Sequence, residues 1–384
     1  MIYLDHAAAT PVSEKVMRAM QRYYAEDFFN PSAAYLPATK VRKEYEAAKD
    51  MIAQVIGAKG VDLVMTSGAT ESINLAFRAA ERRSVLISAI EHPAVLANAK
   101  VAAHYDEINV DKFGRVDLDD LRKKISPEIR LISVGLASGE LGTIQPIAEI
   151  AEIVKAERQR RVSAGEGNPI YLHCDASQGL GLVEVKINRL NIDMLTLNAA
   201  KVYGPKGVGA LWVAHHVKLT PVVFGGGQER ALRGGTENVA GVVGFAVAMQ
   251  EAEKHLSAEK KRIAKLREIL KKVLSEDEAI VFLGNPKRQL VNFLPILIPV
   301  IDAERLIFKL EREDIYVSTG AACSASKGEK SRTLKAIGLS DEEIAGSLRI
   351  SLGKLTSGDD MRVAGELILK AVREERDRLA GSNK

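Results

Sequence analysis

Cysteine is scarce in this chain, since only Cys174 and Cys323 occur among 384 residues. Two cysteines cannot build a disulfide framework, and they cannot form a metal cage from protein ligands alone. Free thiols are typical of proteins kept in a reducing compartment. We therefore predict a cytoplasmic protein that has no resident metal ion.

Long apolar runs and a strong net charge are missing as well. No apolar run is long enough to span a bilayer, and Met1–His6 is typical of a strand and turn, not of a signal peptide. A net charge of +4 is small for a chain of this length and does not indicate direct nucleic-acid binding. The hydrophobic content of 46% is ordinary for a globular protein, and the length favours two domains.

Strand-like and helix-like segments alternate over the first two thirds of the chain. The predicted strands are Leu63–Thr66, Ser84–Ala89, Glu107–Val110, Leu131–Leu136, Ile170–Asp175, Asp193–Leu197 and Gly209–Val213. The predicted helices are Ala38–Ile56, Ser72–Arg82, Pro93–His104, Leu118–Ile125 and Ile147–Arg161, with a polar loop over Gln159–Pro169. This alternation predicts an α/β fold, with a mostly parallel seven-stranded sheet covered by helices on both faces.

The alternation changes at a long charged helix predicted for Glu251–Leu274. The later segments Leu290–Val300, Ala303–Glu313, Ile315–Ser318 and Ser347–Leu352, and a helix from Asp359, indicate a mixed α+β arrangement. We therefore predict a large domain over residues 13–250. A smaller domain, formed by residues 1–12 and 251–384, is predicted to carry Cys323.

A lysine and an acid follow two neighbouring predicted strands. Lys201 lies in Asn198–Gly207, between a strand and a Gly/Pro turn, and Asp175 ends the apolar strand before it. This pair suits pyridoxal 5'-phosphate (PLP), whose aldehyde bonds covalently to a lysine and whose pyridine nitrogen pairs with an acid. The alternative for Lys201 alone is a surface lysine beside a turn.

Two segments are candidates for binding a phosphate. Thr66–Ser72 follows a strand and opens a helix, so its small residues and backbone N–H groups can approach an anion. The alternative is an ordinary Ser/Thr helix cap. The glycine-rich basic segment Gly225–Thr236 can reach a phosphate or can form a flexible turn.

Three further side chains have chemistry that a site can use. His92, before Pro93, can stack on a flat cofactor and carry protons, or it can simply begin a helix. Arg349 interrupts an apolar strand and can bind a carboxylate or form a structural salt bridge. Cys323 lies among small polar residues and is a candidate nucleophile if its thiolate forms, whereas Cys174 on its apolar strand is typical of an inert buried thiol.

Taken together, these motifs resemble the cysteine desulfurases, PLP enzymes of the class V aminotransferase group with fold type I. The resemblance covers nearly the whole chain and includes Tyr3–Pro11, Thr66–Ser72, Glu91–His92, His173–Gln178, Lys201–Gly207, Arg230–Thr236, Ala322–Ser324 and Arg349–Gly353. The Cys323 segment is similar to the branch that supplies sulfur for iron–sulfur clusters and tRNA thiolation. The fold expected from the resemblance is a large PLP-binding domain with a smaller α+β domain.

The resemblance also implies a role for each site residue. Lys201 would bond to PLP, Asp175 would pair with the pyridine nitrogen, Gln178 would hydrogen-bond the phenolic oxygen, and His92 would stack on the ring and move protons. Ala69, Thr70 and Asn198 would bind the phosphate, with Thr236 reaching in from the second subunit of a homodimer. Arg349, with Ser138, would hold the L-cysteine carboxylate. Cys323 would take the substrate sulfur as a persulfide, leaving L-alanine, and can ligate an iron–sulfur cluster transiently during transfer.

The chain departs from the family pattern at three places. Ser138-Gly139-Glu140 stands where Asn-Asn-Glu is usual, Asn198-Ala199-Ala200-Lys201 where Ser-x-His-Lys is usual, and Tyr35 where a histidine is usual. Each lost hydrogen bond to a charged group is expected to weaken binding by about 1.5–3 kcal/mol. The departures keep two alternatives open: another PLP-dependent aminotransferase or lyase, and a degenerate sulfur-relay partner with little catalysis.

Overall fold

The structure is a computed structural model that describes residues 1–319 and 330–382, with side chains through 381. Cys323, the predicted nucleophile, lies outside the described residues. No helix in the described ranges is long and apolar enough to cross a bilayer.

Thirteen strands occur in the described part of the chain. They are β1 (Ile2–Tyr3), β2 (Leu63–Thr66), β3 (Ser84–Ser88), β4 (Tyr105–Ile108), β5 (Ile129–Gly135), β6 (Tyr171–Asp175), β7 (Met194–Asn198), β8 (Gly209–Val213), β9 (Val281–Phe282), β10 (Phe293–Leu297), β11 (Ile315–Tyr316), β12 (Ser318–Thr319) and β13 (Ser347–Ser351). Twelve α-helices accompany them within the same ranges. They are α1 (Glu14–Ala25), α2 (Leu36–Ile56), α3 (Ala69–Ala76), α4 (Pro93–Ala99), α5 (Leu118–Lys124), α6 (Ile147–Ser163), α7 (Ile187–Leu190), α8 (Val239–Leu274), α9 (Ala303–Glu311), α10 (Arg332–Ala336), α11 (Asp341–Ala345) and α12 (Gly358–Ser382).

The seven predicted strands form one sheet, in the order β2-β8-β7-β6-β5-β3-β4. Within this sheet only β8 runs opposite to the other six strands, so the expected mostly parallel sheet is confirmed. Alternate residues of the same strands are buried on opposite faces: Leu86, Ile132, Leu172 and Leu195 on one, and Val85, Leu131, Tyr171 and Met194 on the other. Burial on both faces explains why these strands are continuously apolar.

A second, four-stranded antiparallel sheet has the order β12-β13-β10-β9. It packs in a separate apolar cluster that includes Leu4 and residues of α9, α12 and the end of α8. The short parallel pair of β1 with β11 brings the amino terminus to this cluster. The N-terminal segment therefore runs from the smaller sheet toward the large one.

Several predicted boundaries are wrong, including those of the helix predicted for Ser72–Arg82, which is observed as α3 over Ala69–Ala76. The long helix begins at Val239, not at Glu251, because its first half packs an apolar face in the core of the large sheet while Asn238 caps Gly241. Helix α8 therefore continues through both apolar clusters for 36 residues, about 54 Å. Helix α4 stops at Ala99, and α6 continues to Ser163, where a loop was predicted. Arg161 keeps α6 helical there, since its buried guanidinium donates to the carbonyl oxygens of Ile129 and Ser126.

Three consecutive non-glycine residues of the glycine-rich segment Gly225–Thr236 have a left-handed backbone conformation. Their φ values are 48° at Glu229, 61° at Arg230 and 59° at Ala231. The buried Glu229 carboxylate secures the turn, because it accepts hydrogen bonds from Tyr45 Oη at 2.5 Å, Met65 N at 2.7 Å and Lys49 Nζ at 3.1 Å. These hydrogen bonds fix the conformation of the turn, so it is not a flexible one.

We expect Ala231→Gly to raise the free energy of unfolding by about 0.5–1 kcal/mol. The left-handed region costs a residue with a Cβ roughly 1–2 kcal/mol, and glycine's freedom in the unfolded chain offsets part of that gain. Urea unfolding measures the change. Ala156→Gly, on the exposed face of α6, is the matched control and is expected to lower stability by about 1 kcal/mol. A loss of stability in both variants would contradict the assigned strain.

Candidate active site

The carboxyl ends of β2, β3, β5, β6 and β7 meet at one edge of the large sheet and border a cleft of about 440 Å³. Ligands bind at this edge in open α/β sheets. Nine of the predicted site residues line the cleft: Ala69, Thr70, His92, Ser138, Asp175, Gln178, Asn198, Lys201 and Arg349. Thr236 is exposed and is not among the lining residues. Cys323 lies outside the described residues.

Lys201 ends a short 3₁₀ turn, Ala199–Lys201, that follows β7 directly. The Asn198 side chain caps this turn by accepting from the Ala200 N–H at 3.2 Å. The Lys201 amine donates to the carbonyl oxygens of Ala7 at 2.6 Å and Ala8 at 2.7 Å. It is therefore a half-buried group on the cleft wall, and not a surface lysine beside a turn.

Asp175 is half-buried at the end of β6, one strand from Lys201. Its Oδ1 accepts from the N–H of Ser177 at 2.9 Å and from the Ser177 hydroxyl at 2.5 Å. These two donors hold the carboxylate in one orientation. Ser177 was not singled out from the sequence, although its position two residues after a strand-end acid is a typical turn signal.

His173, two residues before Asp175, is fully buried between neighbouring strands. Its Nδ1 lies 2.9 Å from Ser133 Oγ, and its Nε2 lies 2.9 Å from Thr196 Oγ1. Burial lowers the pKa of this histidine to about 4, so the ring is neutral at neutral pH. A neutral ring donates to one hydroxyl and accepts from the other, which satisfies the polar groups of all three strands beneath the cleft.

We expect His173 to make the fold sensitive to acid. The unfolded chain protonates this residue below about pH 6.5, whereas the folded chain does so only near the lowered pKa. The neutral His173 ring therefore makes its full contribution to stability above about pH 6.5. That contribution, about 3 kcal/mol, is lost as the pH falls to about 4.

Urea unfolding at several pH values tests this dependence. The free energy of unfolding should fall more steeply in the wild type than in His173→Gln, by up to about 1.4 kcal/mol per pH unit between roughly pH 6.5 and 4.5. Glutamine keeps a donor and an acceptor for Ser133 and Thr196 but does not bind a proton. Equal slopes in the two proteins would contradict the prediction.

The carboxyl end of β3 is followed by Glu91 and His92. The Glu91 carboxyl accepts from the Gly135 N–H at 2.8 Å, and burial, with Asp175 nearby, raises its pKa to about 8. Glu91 is thus largely protonated at neutral pH. Nothing in the sequence points to this role of Glu91 beyond its position next to His92.

The His92 ring borders the cleft at the start of α4. Its Nδ1 accepts from the Ala94 N–H at 3.1 Å, so a neutral ring carries its proton on Nε2. Desolvation lowers the pKa of His92, and the nearby Lys201 contributes in the same direction, against the opposing charge of Asp175. His92 therefore begins a helix and also borders the cleft.

The first turn of α3 borders the cleft with its backbone. Its N-cap residue is Gly68, and no side chain of the described residues caps the helix there. A Cβ on Gly209 of β8 would lie 2.7 Å from Gly68 Cα, so only glycine allows the strand to pass so close. Ala69 and Thr70 follow on the cleft wall, where the helix N-terminus favours an anion.

The turn at Ser138–Leu141 departs most from the family pattern. The Ser138 hydroxyl accepts from the N–H groups of Glu140 at 3.3 Å and Leu141 at 3.2 Å, so it closes the turn. A Cβ on Gly139 would lie 3.3 Å from Gln178 Nε2. Gln178 therefore occupies part of the space that a larger residue at 139 would need.

Arg349 lies on β13, almost fully buried, at the cleft wall. Its guanidinium donates to Asp5 Oδ1 at 2.6 Å and to the Gly139 carbonyl oxygen at 3.1 Å. Among the described residues, its Nε has no hydrogen-bond partner. The structural salt bridge is thus present, and the guanidinium still has N–H groups for another acceptor.

Comparison with known proteins identifies relatives over nearly the whole chain. Residues 2–362 match the family Aminotransferase class-V. The chain is 39% identical to Cysteine desulfurase IscS 1 of Archaeoglobus fulgidus, covering 94% of each protein. It is 37% identical to Cysteine desulfurase IscS of Methanosarcina thermophila, covering 98% of this chain and 93% of that protein.

Solved structures agree with these matches. A NifS-like protein superposes with a TM-score of 0.88 at 31% identity, covering 97% of this chain and 99% of the other. A structure described as SspA in complex with cysteine superposes with a TM-score of 0.78 at 31% identity, covering 92% and 99%. Sequence, fold and cleft therefore agree that the chain belongs to the class-V aminotransferase family.

Proposed function

We propose that this protein is a PLP-dependent L-cysteine desulfurase that passes sulfur on from Cys323. The observation that carries the proposal is the placement of Lys201, Asp175 and Arg349 on the wall of one cleft. An amine, an acid and a guanidinium are the groups that an aldehyde cofactor and an amino-acid substrate require. The names of the relatives, and the cysteine complex of SspA, support cysteine as the substrate.

The donors present in the cleft fit PLP. Lys201 would offer the amine, Asp175 would pair with a protonated pyridine nitrogen, and the first turn of α3 would offer backbone N–H groups to the phosphate. Gln178 and Asn198 add amides, and His92 adds a flat ring. Bound PLP would supply an electron sink for bonds that break at the substrate's α-carbon.

Arg349 and Cys323 are assigned to the substrate. Arg349 would hold the L-cysteine carboxylate, while Ser138 keeps the turn beside it closed. The Cys323 thiolate would attack the substrate sulfur, so that a sulfur–sulfur bond forms and the carbon–sulfur bond breaks. The carbon keeps the electron pair and gains a proton, which converts cysteine and a thiol into alanine and a persulfide. We propose iron–sulfur cluster assembly or tRNA thiolation as the destination of the sulfur, in the cytoplasm.

A homodimer is part of the proposal. Thr236 lies at the end of the glycine-rich segment Gly225–Thr236, exposed and outside the cleft of its own chain. A role for Thr236 in binding a phosphate therefore requires a second subunit. Exposed apolar side chains mark surfaces that bind proteins. Phe28, Tyr35 and Leu36 are 66%, 53% and 85% exposed, and the first two pack on Phe29.

The test is an absorption spectrum of the purified protein with PLP, before and after L-cysteine, with alanine and sulfide measured together. We expect a visible band that changes with cysteine, and equal amounts of alanine and sulfide in the presence of a thiol reductant. Amino-group transfer that needs a ketoacid would favour an aminotransferase instead. Failure to acquire any band with added PLP would favour the degenerate sulfur-relay partner.

A further inference from the structure

The turn at Ser138–Leu141 contacts the segment that follows residues 320–329 directly, and it is connected through Arg349 to the strand that precedes them. On the carboxyl side, the Glu140 carboxylate accepts from the Ser331 hydroxyl and from Thr333. On the amino side, β12 pairs with β13, with Ser318 opposite Arg349. Arg349 in turn donates to the Gly139 carbonyl oxygen. One short turn thus joins the start of α10 to the strand that carries Arg349.

The Ser331 hydroxyl connects the Glu140 carboxylate to the first turn of α10. Its hydroxyl donates to Glu140 and accepts from the Leu334 N–H at 3.0 Å, as the N-cap of α10. Ser331 and Thr333 are only 2% and 4% exposed. Hydrogen bonds to a charged acceptor in a buried site are stronger than those between neutral groups at the surface.

Apolar packing continues the same contact. Leu141, which follows Glu140, is fully buried with Leu334 of α10 and Ile344 of α11. Two ion pairs, Arg332–Glu107 and Lys330–Asp341, also connect the start of α10 to neighbouring elements. Both pairs are at the surface, and exposed pairs contribute little. Among the polar contacts of α10 with other elements in the described ranges, the one between Glu140 and the buried Ser331 is therefore the least exposed to solvent.

Burial raises the pKa of the Glu140 carboxyl, and the hydroxyls of Ser331 and Thr333 and the charge of Arg349 oppose this effect. The Glu140 side chain is thus held by partners from distant parts of the chain. A glutamate whose only task was solubility would point into water.

We propose that Glu140 is a positioning residue that holds the first turn of α10 and the Arg349 strand together as one rigid wall of the cleft. It acts on the reaction through Thr333, which lines the cleft, and through Arg349. The effect on turnover rests on the proposed function, whereas the effect on the rigidity of α10 does not.

Hydrogen exchange of the PLP-loaded protein tests the rigidity directly. We expect Glu140→Ala to speed exchange in peptides covering residues 331–340 by about tenfold or more, because a buried hydrogen-bond partner is removed. Glu140→Gln keeps an acceptor for Ser331 and should stay within about threefold of the wild type. Glu152→Ala, an exposed glutamate on α6, is the matched control and should change nothing in these peptides.

Kinetics with L-cysteine supplies the second readout. Glu140→Ala should lower kcat/KM for alanine formation by about tenfold with an unchanged PLP spectrum, and Glu140→Gln should restore most of it. Wild-type exchange in Glu140→Ala, or a loss in Glu140→Gln as large as in Glu140→Ala, would overturn the proposal. If the wild type forms no alanine, the proposed function fails, and the exchange data still decide the role of Glu140.

Discussion

Lys201→Ala is expected to abolish alanine formation, with a loss of roughly 10⁴-fold or more. The amine is placed at the end of β7 by the capped turn Ala199–Lys201, and its two carbonyl partners come from Ala7 and Ala8. No other described lysine on the cleft wall lies at a strand end, since Lys206 follows the Gly/Pro turn. The variant should bind PLP without a covalent link.

Borohydride reduction followed by peptide mass spectrometry checks this expectation independently of turnover. The wild type should carry reduced PLP on the peptide containing Lys201, and Lys201→Ala should carry none. Lys206→Ala is the matched control, because Lys206 also lines the cleft and donates to a backbone carbonyl, that of Thr10, at 2.6 Å. Modification at Lys206 in the wild type would show that the assignment is wrong.

Cys323→Ala is expected to remove sulfur transfer, with a loss of roughly 10³-fold or more. The thiolate is the reactive form of cysteine, and the chain has only one other thiol that could replace it. That thiol, Cys174, is fully buried on β6. Burial raises its pKa well above the usual range, and the nearby charges of Asp175 and Glu91 act in the same direction.

Cys174→Ala therefore serves as the matched control for Cys323→Ala. We expect it to keep wild-type turnover, with only a modest loss of stability from the vacated volume. The measurement is transfer of sulfur from L-cysteine to a thiol acceptor, together with detection of a persulfide by mass spectrometry. Undiminished transfer in Cys323→Ala, or a persulfide on Cys174, would refute the assigned nucleophile.

The predicted elements were most accurate where one strand is buried on both faces. Continuous apolar runs of this length are typical of strands between two helical layers, and the inner strands of the large sheet were predicted near their observed limits. The predicted element boundaries were wrong where a contact with a distant part of the chain determines the end of an element. Arg161 extends α6 through carbonyl oxygens that lie more than thirty residues earlier in the chain.

The polar residues at the strand ends were predictable for the same reason. Lys201, Asp175 and His92 each follow an apolar run, and the carboxyl ends of parallel strands share one edge. Their partners were not predictable from the chain order. Glu91 reaches Gly135, and the amine of Lys201 reaches carbonyl groups almost two hundred residues away.

The sequence by itself determined the order of the strands along the chain, the chemistry of the cleft and the resemblance to a family, because these depend on local apolar runs and on residue types. Only the tertiary structure decided that Gln178 occupies the space beside Gly139, that Asp5 pairs with Arg349, and that Glu140 holds the start of α10. The physical reason is that hydrogen bonds and close packing depend on which distant side chains share a space, and a single sequence does not show that distance.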